Sequence, residues 1–414
     1  MSRLIACIVA VGRRSLVARI IVGLVCGCAI ALTAWYPGHW LIALLALPFL
    51  WARIPGRLPA FALWCGYYLA GARDIPIMTE RFFSGYGELQ ADTALWLGVA
   101  FWIGQAALLA APWGILKFSQ AAGPFSRGLR AVMATIVVSV PPLGVIGWIS
   151  PAHVASALYP GWQGLGLGLG MLAIAAAAAA TWSRSTLLLG LVLIAGTIAA
   201  RSELAIPAAP AGWLALSTRL GKYPDGGFDA MYQRTQALQA AADSGFATGA
   251  TVVILPEEAL GTWRPAVRYW WTRYLDQLQL EGKTVVIGVD LKVSDRPLRY
   301  TDSAVIAGAG RGRFDSRIPM PVGSWRPGAK VSTSLGSLRQ PYFDIDGKMA
   351  AFSVCYEDML IWPHWRLLVT RPDVLVGMAS NWFIAGRALE QIQTQSIAST
   401  ARLAGVPLMR AVDD

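Results

Sequence analysis

The first 200 residues are a series of long apolar stretches separated by short segments that hold most of the polar residues. Apolar runs of this length predict helices in a nonpolar medium rather than strands. A bilayer crossing needs about 20 apolar residues, and the second, third and last stretches are shorter than that. We therefore predict six or seven membrane spans. In the seven-span interpretation they lie near residues 16–35, 40–52, 58–72, 93–116, 131–150, 162–182 and 186–200.

The pattern changes at Arg201, where short runs rich in β-branched residues begin to alternate with helical periodicity. This alternation predicts an α/β domain with helices packed on mixed sheets. We therefore divide the chain into a membrane domain, 1–200, and an α/β domain, 201–414, which is long enough to bury one large core. The predicted strands are residues 250–255, 284–290, 303–307, 349–354 and 374–379, and the predicted helices are residues 228–242, 265–280 and 389–404.

Composition supports two regions in different solvents. The 414 residues are 55% hydrophobic and 14% charged, whereas soluble domains carry about a quarter charged residues. Residues 1–200 hold 12 Lys and Arg and 4 Asp and Glu, against 23 and 20 in residues 201–414. The charged residues therefore belong mainly to the α/β domain.

The basic residues of the first region predict its orientation. Ten of them fall on one side of the seven spans, and only Arg73 and Arg81 fall on the other. Because loops rich in Lys and Arg stay in the cytoplasm, this asymmetry places the N-terminus inside. The first span lacks a small-residue cleavage site, which indicates a retained span. With seven spans, the α/β domain lies outside, in the periplasm of a Gram-negative cell with the chain in its inner membrane.

Several kinds of partner are disfavoured. The net charge of +11 comes largely from the short loops of the first region, and the α/β domain has too small a basic excess to track phosphates. We therefore expect no direct contact with nucleic acid. His39, His153 and His364 do not lie at ligand spacing from carboxylates, so we predict no metal, and no motif indicates a cofactor.

Polar side chains follow three predicted strands of the α/β domain. Glu257 comes after the apolar run that ends at Leu255, Cys355 and Glu357 follow Val354, and residues 380–383 follow the run 374–379. A thiol at a strand end is accessible on a rigid backbone, and a carboxylate in an apolar setting suits a general base. The ordinary interpretation is a core thiol and solvated loop glutamates. Three such strand ends would share one rim of the sheets.

These motifs resemble the nitrilase superfamily of carbon–nitrogen hydrolases. Leu-Pro-Glu-Glu-Ala at 255–259, Arg-Phe-Asp at 313–315, Val-Cys-Tyr-Glu-Asp at 354–358 and Asn-Trp-Phe at 381–383 occur in the family's order and spacing. The resemblance implies an αββα sandwich. With several N-terminal spans, the chain is also similar to the apolipoprotein N-acyltransferases.

The resemblance implies a Glu-Lys-Cys triad that works on acyl groups. Glu257 matches the base, Cys355 matches the nucleophile and Glu357 is a supporting residue. The acyltransferases take an acyl chain from a membrane phospholipid as a thioester and pass it to the N-terminal amine of a lipoprotein. Phospholipid and a lipoprotein are therefore the implied partners.

The chain departs from this pattern in the segment that carries the family's lysine. Ser316 stands at the lysine position and Ser324 at that of a loop glutamate. Arg317 is the substitute that we consider, although a shift of one residue in a strand would turn it to the other face, and Lys292 and Lys330 are the other nearby lysines. One lost oxyanion donor costs roughly 3–4 kcal/mol of barrier. The acyltransferases also continue with further strands and a last membrane helix, whereas this sequence stops at Asp414.

A further likeness is to conjugal transfer proteins of rhizobial and agrobacterial plasmids, which are membrane-attached nitrilase relatives. It is carried by the run 221–228, by the loop Ser-Arg-Ile-Pro-Met-Pro-Val at 316–322 and by the short C-terminus. It implies a partner in the conjugation apparatus. Two hypotheses stay open. In one the chain is an active amidase or acyltransferase, and in the other it is a degenerate relative that keeps the fold as a structural component.

Overall fold

The computed structural model describes residues 15–36, 40–118, 122–181, 184–202, 207–224 and 227–414, with the side chain of residue 186 left aside. Its helices are α1 (Leu16–Trp35), α2 (Ala46–Arg53), α3 (Arg57–Gly71), α4 (Ile75–Gly85), α5 (Ala91–Ile115), α6 (Pro124–Ser139), α7 (Val154–Leu158), α8 (Gln163–Ala179), α9 (Arg184–Ser202), α10 (Phe228–Ala247), α11 (Pro265–Leu280) and α12 (Ala388–Ala404). Its strands are β1 (Trp213–Ala215), β2 (Val252–Ile254), β3 (Thr284–Asp295), β4 (Leu298–Gly308), β5 (Gly312–Asp315), β6 (Val331–Thr333), β7 (Phe343–Ile345), β8 (Lys348–Val354), β9 (Val374–Ser380) and β10 (Leu408–Asp413).

The chain forms two compact units, which we name the helical unit and the sheet unit. The helical unit comprises the described parts of Met1–Ala205 together with Met359–Val369 and Arg387–Gly405. The sheet unit comprises the described parts of Ile206–Asp358 together with Thr370–Gly386 and Val406–Asp414. The chain therefore passes between the units several times, although the sequence suggests a single boundary near residue 200.

Small residues and aromatic rings hold the helical unit together. A Cβ on Gly27 of α1 would lie 1.8 Å from the carbonyl oxygen of Leu63 in α3, so only glycine permits this approach of the two backbones. The indole rings of Trp64 and Trp113 stack with centroids 3.5 Å apart, and both rings are buried. Close helix packing in this region therefore depends on glycine at the crossing and on buried aromatic side chains.

Two described helices, α1 and α5, are long and apolar enough to cross a membrane. A third candidate is the bent pair Pro151–Leu158 and Gln163–Ala179, whose halves meet at 116°. The predicted span 131–150 is wrong as a continuous helix, because α6 ends at Ser139, one residue before Val140 and two consecutive prolines. Proline disfavours helical geometry in the residue before it, which ends the helix there. Six or seven spans stays a prediction, because it counts helices shorter than a bilayer crossing.

The sheet unit contains two sheets. The first has the order β1-β2-β3-β4-β5, with β6 paired to β4, and it is parallel from β1 to β3 and antiparallel from β3 to β5. The second has the order β10-β9-β8-β7, and only the β7–β8 pair is antiparallel. The parallel pair β9–β10 needs a crossover helix, and α12 supplies it.

Alternation along the strands produces the layers. Ile254, Val286 and Ala304 of the first sheet belong to one buried cluster with Phe352 and Val376 of the second sheet. We call this face of each sheet the inner face. The neighbouring positions, such as Val253 and Val285, belong to a second cluster with residues of α10 and α11, which cover the outer face of the first sheet. The predicted fold class is confirmed: an N-terminal helical region with apolar candidate spans precedes a sheet-containing domain with layered sheets.

Candidate active site

Glu257 lies just beyond β2, where the chain turns over the neighbouring strand. A Cβ on Gly288 of β3 would lie 2.2 Å from the carbonyl oxygen of Pro256 and 2.5 Å from Cα of Glu257. Glycine inside a strand often marks such a close approach of another backbone segment. The lack of a side chain at Gly288 therefore allows Glu257 to lie against the sheet, where it is only 6% exposed.

Cys355 follows the last residue of β8 and begins a short 3-10 turn, Cys355–Met359. Its φ of 50° lies in the left-handed region, which is rare for a non-glycine residue. Strain of this kind costs on the order of 1–3 kcal/mol and is common at functional sites. The residue is partly exposed, whereas Val354 before it is buried in the layer between the sheets.

The structure brings Glu257 and Cys355 together, although they are 98 residues apart in the chain. Their side chains are hydrogen-bonded, and the backbone N–H of Ser380 donates to Oε2 of Glu257 at 2.7 Å. Burial, with Glu258 adding to it, raises the pKa of Glu257 to about 8. Burial and the neighbouring Glu257 raise the pKa of the Cys355 thiol well above its usual range. The thiol therefore holds its proton at neutral pH and gives it up only with help from a base.

Two further carboxyls of the site lie on β3 and β4, and the sequence analysis missed both. Asp290 and Asp302 are register partners across these antiparallel strands. Asp302 lies two residues before Ala304 on the same strand, so both side chains belong to the inner face. The Asp302 side chain is hydrogen-bonded to Glu257. Burial and nearby carboxyls raise the pKa of both aspartates well above the usual range. The signal that could have identified Asp302 is an acidic residue in phase with the inward apolar positions Ala304 and Ile306 of the same strand.

Glu357 is completely buried and receives several hydrogen bonds. The Arg317 guanidinium binds its Oε2 with two nitrogens, Nε at 3.0 Å and Nη2 at 2.6 Å. The backbone N–H groups of Arg317 and Ile318 donate to Oε1, the second at 3.1 Å, and the hydroxyl of Ser316 donates to the same oxygen at 3.2 Å. Strand β5 ends at Asp315, so strand alternation no longer separates the side chains of Ser316 and Arg317. Both reach the same carboxylate.

The remaining candidates from the sequence lie elsewhere in the sheet unit. Ser324 is partly exposed, in a turn where its backbone N–H donates to Met320. Lys292 forms an exposed ion pair with Asp295, and Lys330 is exposed. Among the described residues, no group of three or more His, Cys, Asp and Glu side chains has the geometry to hold a metal ion.

The arrangement is suited to nucleophilic chemistry on a carbonyl carbon. A thiol on a strained turn donates to a carboxyl whose pKa is near neutral, which is the relation between a nucleophile and its general base. Arg317 and Glu357 brace the two segments that carry Ser316 and Cys355. The ionisable groups that shift the pKa of Cys355 are three carboxyls, those of Glu257, Asp302 and Asp358.

Comparison with known proteins adds relatives over most of the chain. No protein-family profile matches it. The conjugal transfer protein TraB of Agrobacterium fabrum is 28% identical over 383 residues, which cover 88% of this chain and 85% of that protein. A probable conjugal transfer protein TraB of Sinorhizobium fredii is 26% identical over 371 residues, which cover 88% of this chain and 90% of that protein.

Solved structures match the chain over about half of its length. A variant of the Nesterenkonia AN1 amidase from the nitrilase superfamily covers 50% of this chain and 79% of its own, with 14% identity and a TM-score of 0.36. A carbon–nitrogen hydrolase from Helicobacter pylori G27 covers 49% and 72%, with 12% identity and a TM-score of 0.34. The likeness to conjugal transfer proteins is thus confirmed: the chain is similar to conjugal transfer protein TraB over most of its length.

Proposed function

We propose that this chain is a membrane protein of plasmid conjugation whose sheet unit acts on an amide or acyl group of an envelope component through Cys355. The single observation that carries the chemistry is the hydrogen bond between the Cys355 thiol and the Glu257 carboxyl. The role in conjugation is supported by the similarity to the TraB proteins over 88% of the chain. Neither support depends on the other.

The proposed reaction begins with transfer of the Cys355 proton to Glu257. The thiolate sulfur then bonds to the carbonyl carbon of the substrate, and the C=O π electrons move to oxygen. Collapse of this intermediate re-forms the carbonyl and breaks the bond to the leaving amine or alcohol, which takes the proton from Glu257. Water or an acceptor amine then attacks the thioester, with Glu257 again as base, and the thiol is regenerated.

The two versions of the reaction differ in the donor and in the acceptor. With an amide as donor and water as acceptor the protein is an amidase; with a phospholipid as donor and an amine as acceptor it is an N-acyltransferase whose product is a lipoprotein. The apolar helices α1 and α5 would hold the sheet unit at a membrane surface, where such substrates lie. We place the membrane as the bacterial inner membrane and the sheet unit in the periplasm, from the distribution of basic residues.

A test of the chemistry is the conjugation frequency of donor cells that carry Cys355→Ala in place of the natural protein. We expect transfer to fall by about 100-fold or more, because loss of a nucleophile removes the covalent route entirely. Cys65→Ser is the matched control, since Cys65 is a partly buried thiol of the helical unit. Transfer at the natural frequency by Cys355→Ala, with protein levels equal by immunoblot, would refute an enzymatic role.

A second candidate function is a structural component of the transfer apparatus that keeps the fold without catalysis. It is favoured by Ser316 at the family's lysine position and by the three carboxyls that raise the pKa of Cys355. Under this hypothesis Cys355→Ala transfers plasmid normally, while deletion of the whole protein abolishes transfer.

A further inference from the structure

Asp302 has a specific relation to the general base that the proposed reaction does not use. Its carboxyl is hydrogen-bonded to that of Glu257. Two carboxyl groups can share a hydrogen bond only if one of them carries a proton. Glu257 already accepts the N–H of Ser380 and is hydrogen-bonded to the Cys355 thiol, so Glu257 is best placed as the acceptor and Asp302 as the donor.

We propose that Asp302 is a positioning residue that stays in its acid form and donates its O–H to Glu257. This inference rests on the proposed function, in which Glu257 is the base. The hydrogen bond from Asp302 stabilises the ionised form of Glu257, and only that form can take the thiol proton. The acid form also keeps a negative charge away from the reacting sulfur.

The second oxygen of Asp302 supports the acid form independently. Oδ1 is buried and has no hydrogen-bond partner among the described residues, and the whole side chain is 6% exposed. A buried oxygen of an ionised carboxylate would lose far more solvation free energy without a partner than the carbonyl oxygen of a neutral acid. The environment thus favours the protonated group.

The charged groups around Asp302 act in the same direction. Glu257 and Glu258 face it from the segment after β2, Asp290 faces it from β3, and Glu357 and Cys355 face it from the segment after β8. Glu357 is paired with Arg317. Burial, followed by Glu257 and Glu258, raises the pKa of Asp302 well above its usual range. The site therefore resembles a carboxyl dyad that shares one proton.

The test is the rate at which iodoacetamide alkylates Cys355 in the full-length protein in detergent, between pH 6 and 10, followed by mass spectrometry of the Cys355 peptide. Asp302→Asn keeps an N–H donor, so we expect a rate within about 3-fold of the natural protein and the same pH midpoint. Asp302→Leu keeps the size but removes the donor. We expect about 10-fold slower alkylation at pH 8 and a midpoint at higher pH, since the hydrogen bond that stabilises the ionised carboxylate of Glu257 is lost.

Changes of the alkylation rate and of its pH midpoint in the opposite direction would overturn the proposal. If Asp302 is ionised, both variants remove a negative charge, so both would alkylate faster with a midpoint at lower pH. If Asp302 is only structural, neither variant would change the rate in the folded protein. Asp302→Asn alone separates the acid from the ionised form if Asp302→Leu does not fold. Asp315→Asn, on the adjacent strand, is the matched control.

Failure of the proposed function has a different signature. If Cys355 of the natural protein reacts no faster than Cys65, or if Glu257→Gln leaves its rate unchanged, both the reaction and the role of Asp302 are refuted. If Glu257→Gln slows alkylation while the Asp302 variants behave in the opposite way to that expected, only the role of Asp302 is refuted.

Discussion

The pair of Arg317 and Glu357 offers a direct test of what holds the site together. Glu357 has no exposed surface, and Arg317 binds it through two nitrogens. In Arg317→Met the carboxylate keeps its backbone donors but loses both guanidinium bonds and their charge. Breaking a buried ion pair by removing one partner typically costs ~3–5 kcal/mol, because the remaining charge is uncompensated. For a domain of about 200 residues, that free energy corresponds to a fall of roughly 6–20 °C in Tm.

The assay is thermal unfolding of the purified full-length protein in detergent, followed by near-ultraviolet circular dichroism at a fixed scan rate. Arg317→Met combined with Glu357→Gln is the matched control, since a neutral amide oxygen still accepts the backbone N–H groups of Arg317 and Ile318. We expect the double variant to recover most of the lost Tm, because no charge is left buried. A Tm for Arg317→Met within about 2 °C of that of the natural protein would correspond to a loss of less than about 1 kcal/mol in the free energy of unfolding. In that case the ion pair does not stabilise the site as we describe.

Three further predictions concern the carboxyls and the backbone of the site. The rate of Cys355 alkylation should rise with pH through a midpoint near the pKa of Glu257, about 8. Glu257→Gln should remove that rise, and a midpoint that Glu257→Gln leaves unchanged would contradict the pairing of Glu257 with Cys355. Stability should fall as pH rises from 4.5 to about 8, since only the unfolded chain releases the Glu257 proton in that window. This loss is at most about 5 kcal/mol, and chemical unfolding of Glu257→Gln at several pH values should show a flatter dependence. Gly288→Ala should push the turn at Glu257 away from β3, slowing Cys355 alkylation with a loss of Tm, whereas Gly227→Ala, with open space around it and no positive φ, should leave alkylation unchanged.

The sequence was most informative where a strand ended in a polar residue. Ile254, Val354 and Met378 are inner-face residues that precede Glu257, Cys355 and Ser380 by one to three positions, so apolar periodicity was enough to place three side chains near one rim. Their meeting depends on strand order, which periodicity alone does not provide. The family resemblance supplied that order.

Other parts of the site do not follow a strand end, or they depend on contacts between distant segments. Asp302 lies in the middle of a strand and not at its end, so a search of strand ends passes over it. The partner of Arg317 could be identified only once β5 was known to end at Asp315, which frees the chain to bend toward Glu357. In the helical unit, hydropathy located the apolar stretches, but the two prolines after Val140 ended a helix that hydropathy had extended to residue 150.

The crossover between β9 and β10 ties the assembly of the second sheet to the helical unit. Helix α12, which makes this connection, belongs to the helical unit, where Ser399 is hydrogen-bonded to His153 and Gln395 donates to the carbonyl of Ala34. A fragment that starts at residue 207 would carry α12 without those partners, with apolar side chains such as Ile392 and Ile397 left uncovered. No single cut of the polypeptide separates the sheet unit from the segments of the helical unit that interrupt it. The chemistry of the sheet unit therefore has to be studied on the whole chain.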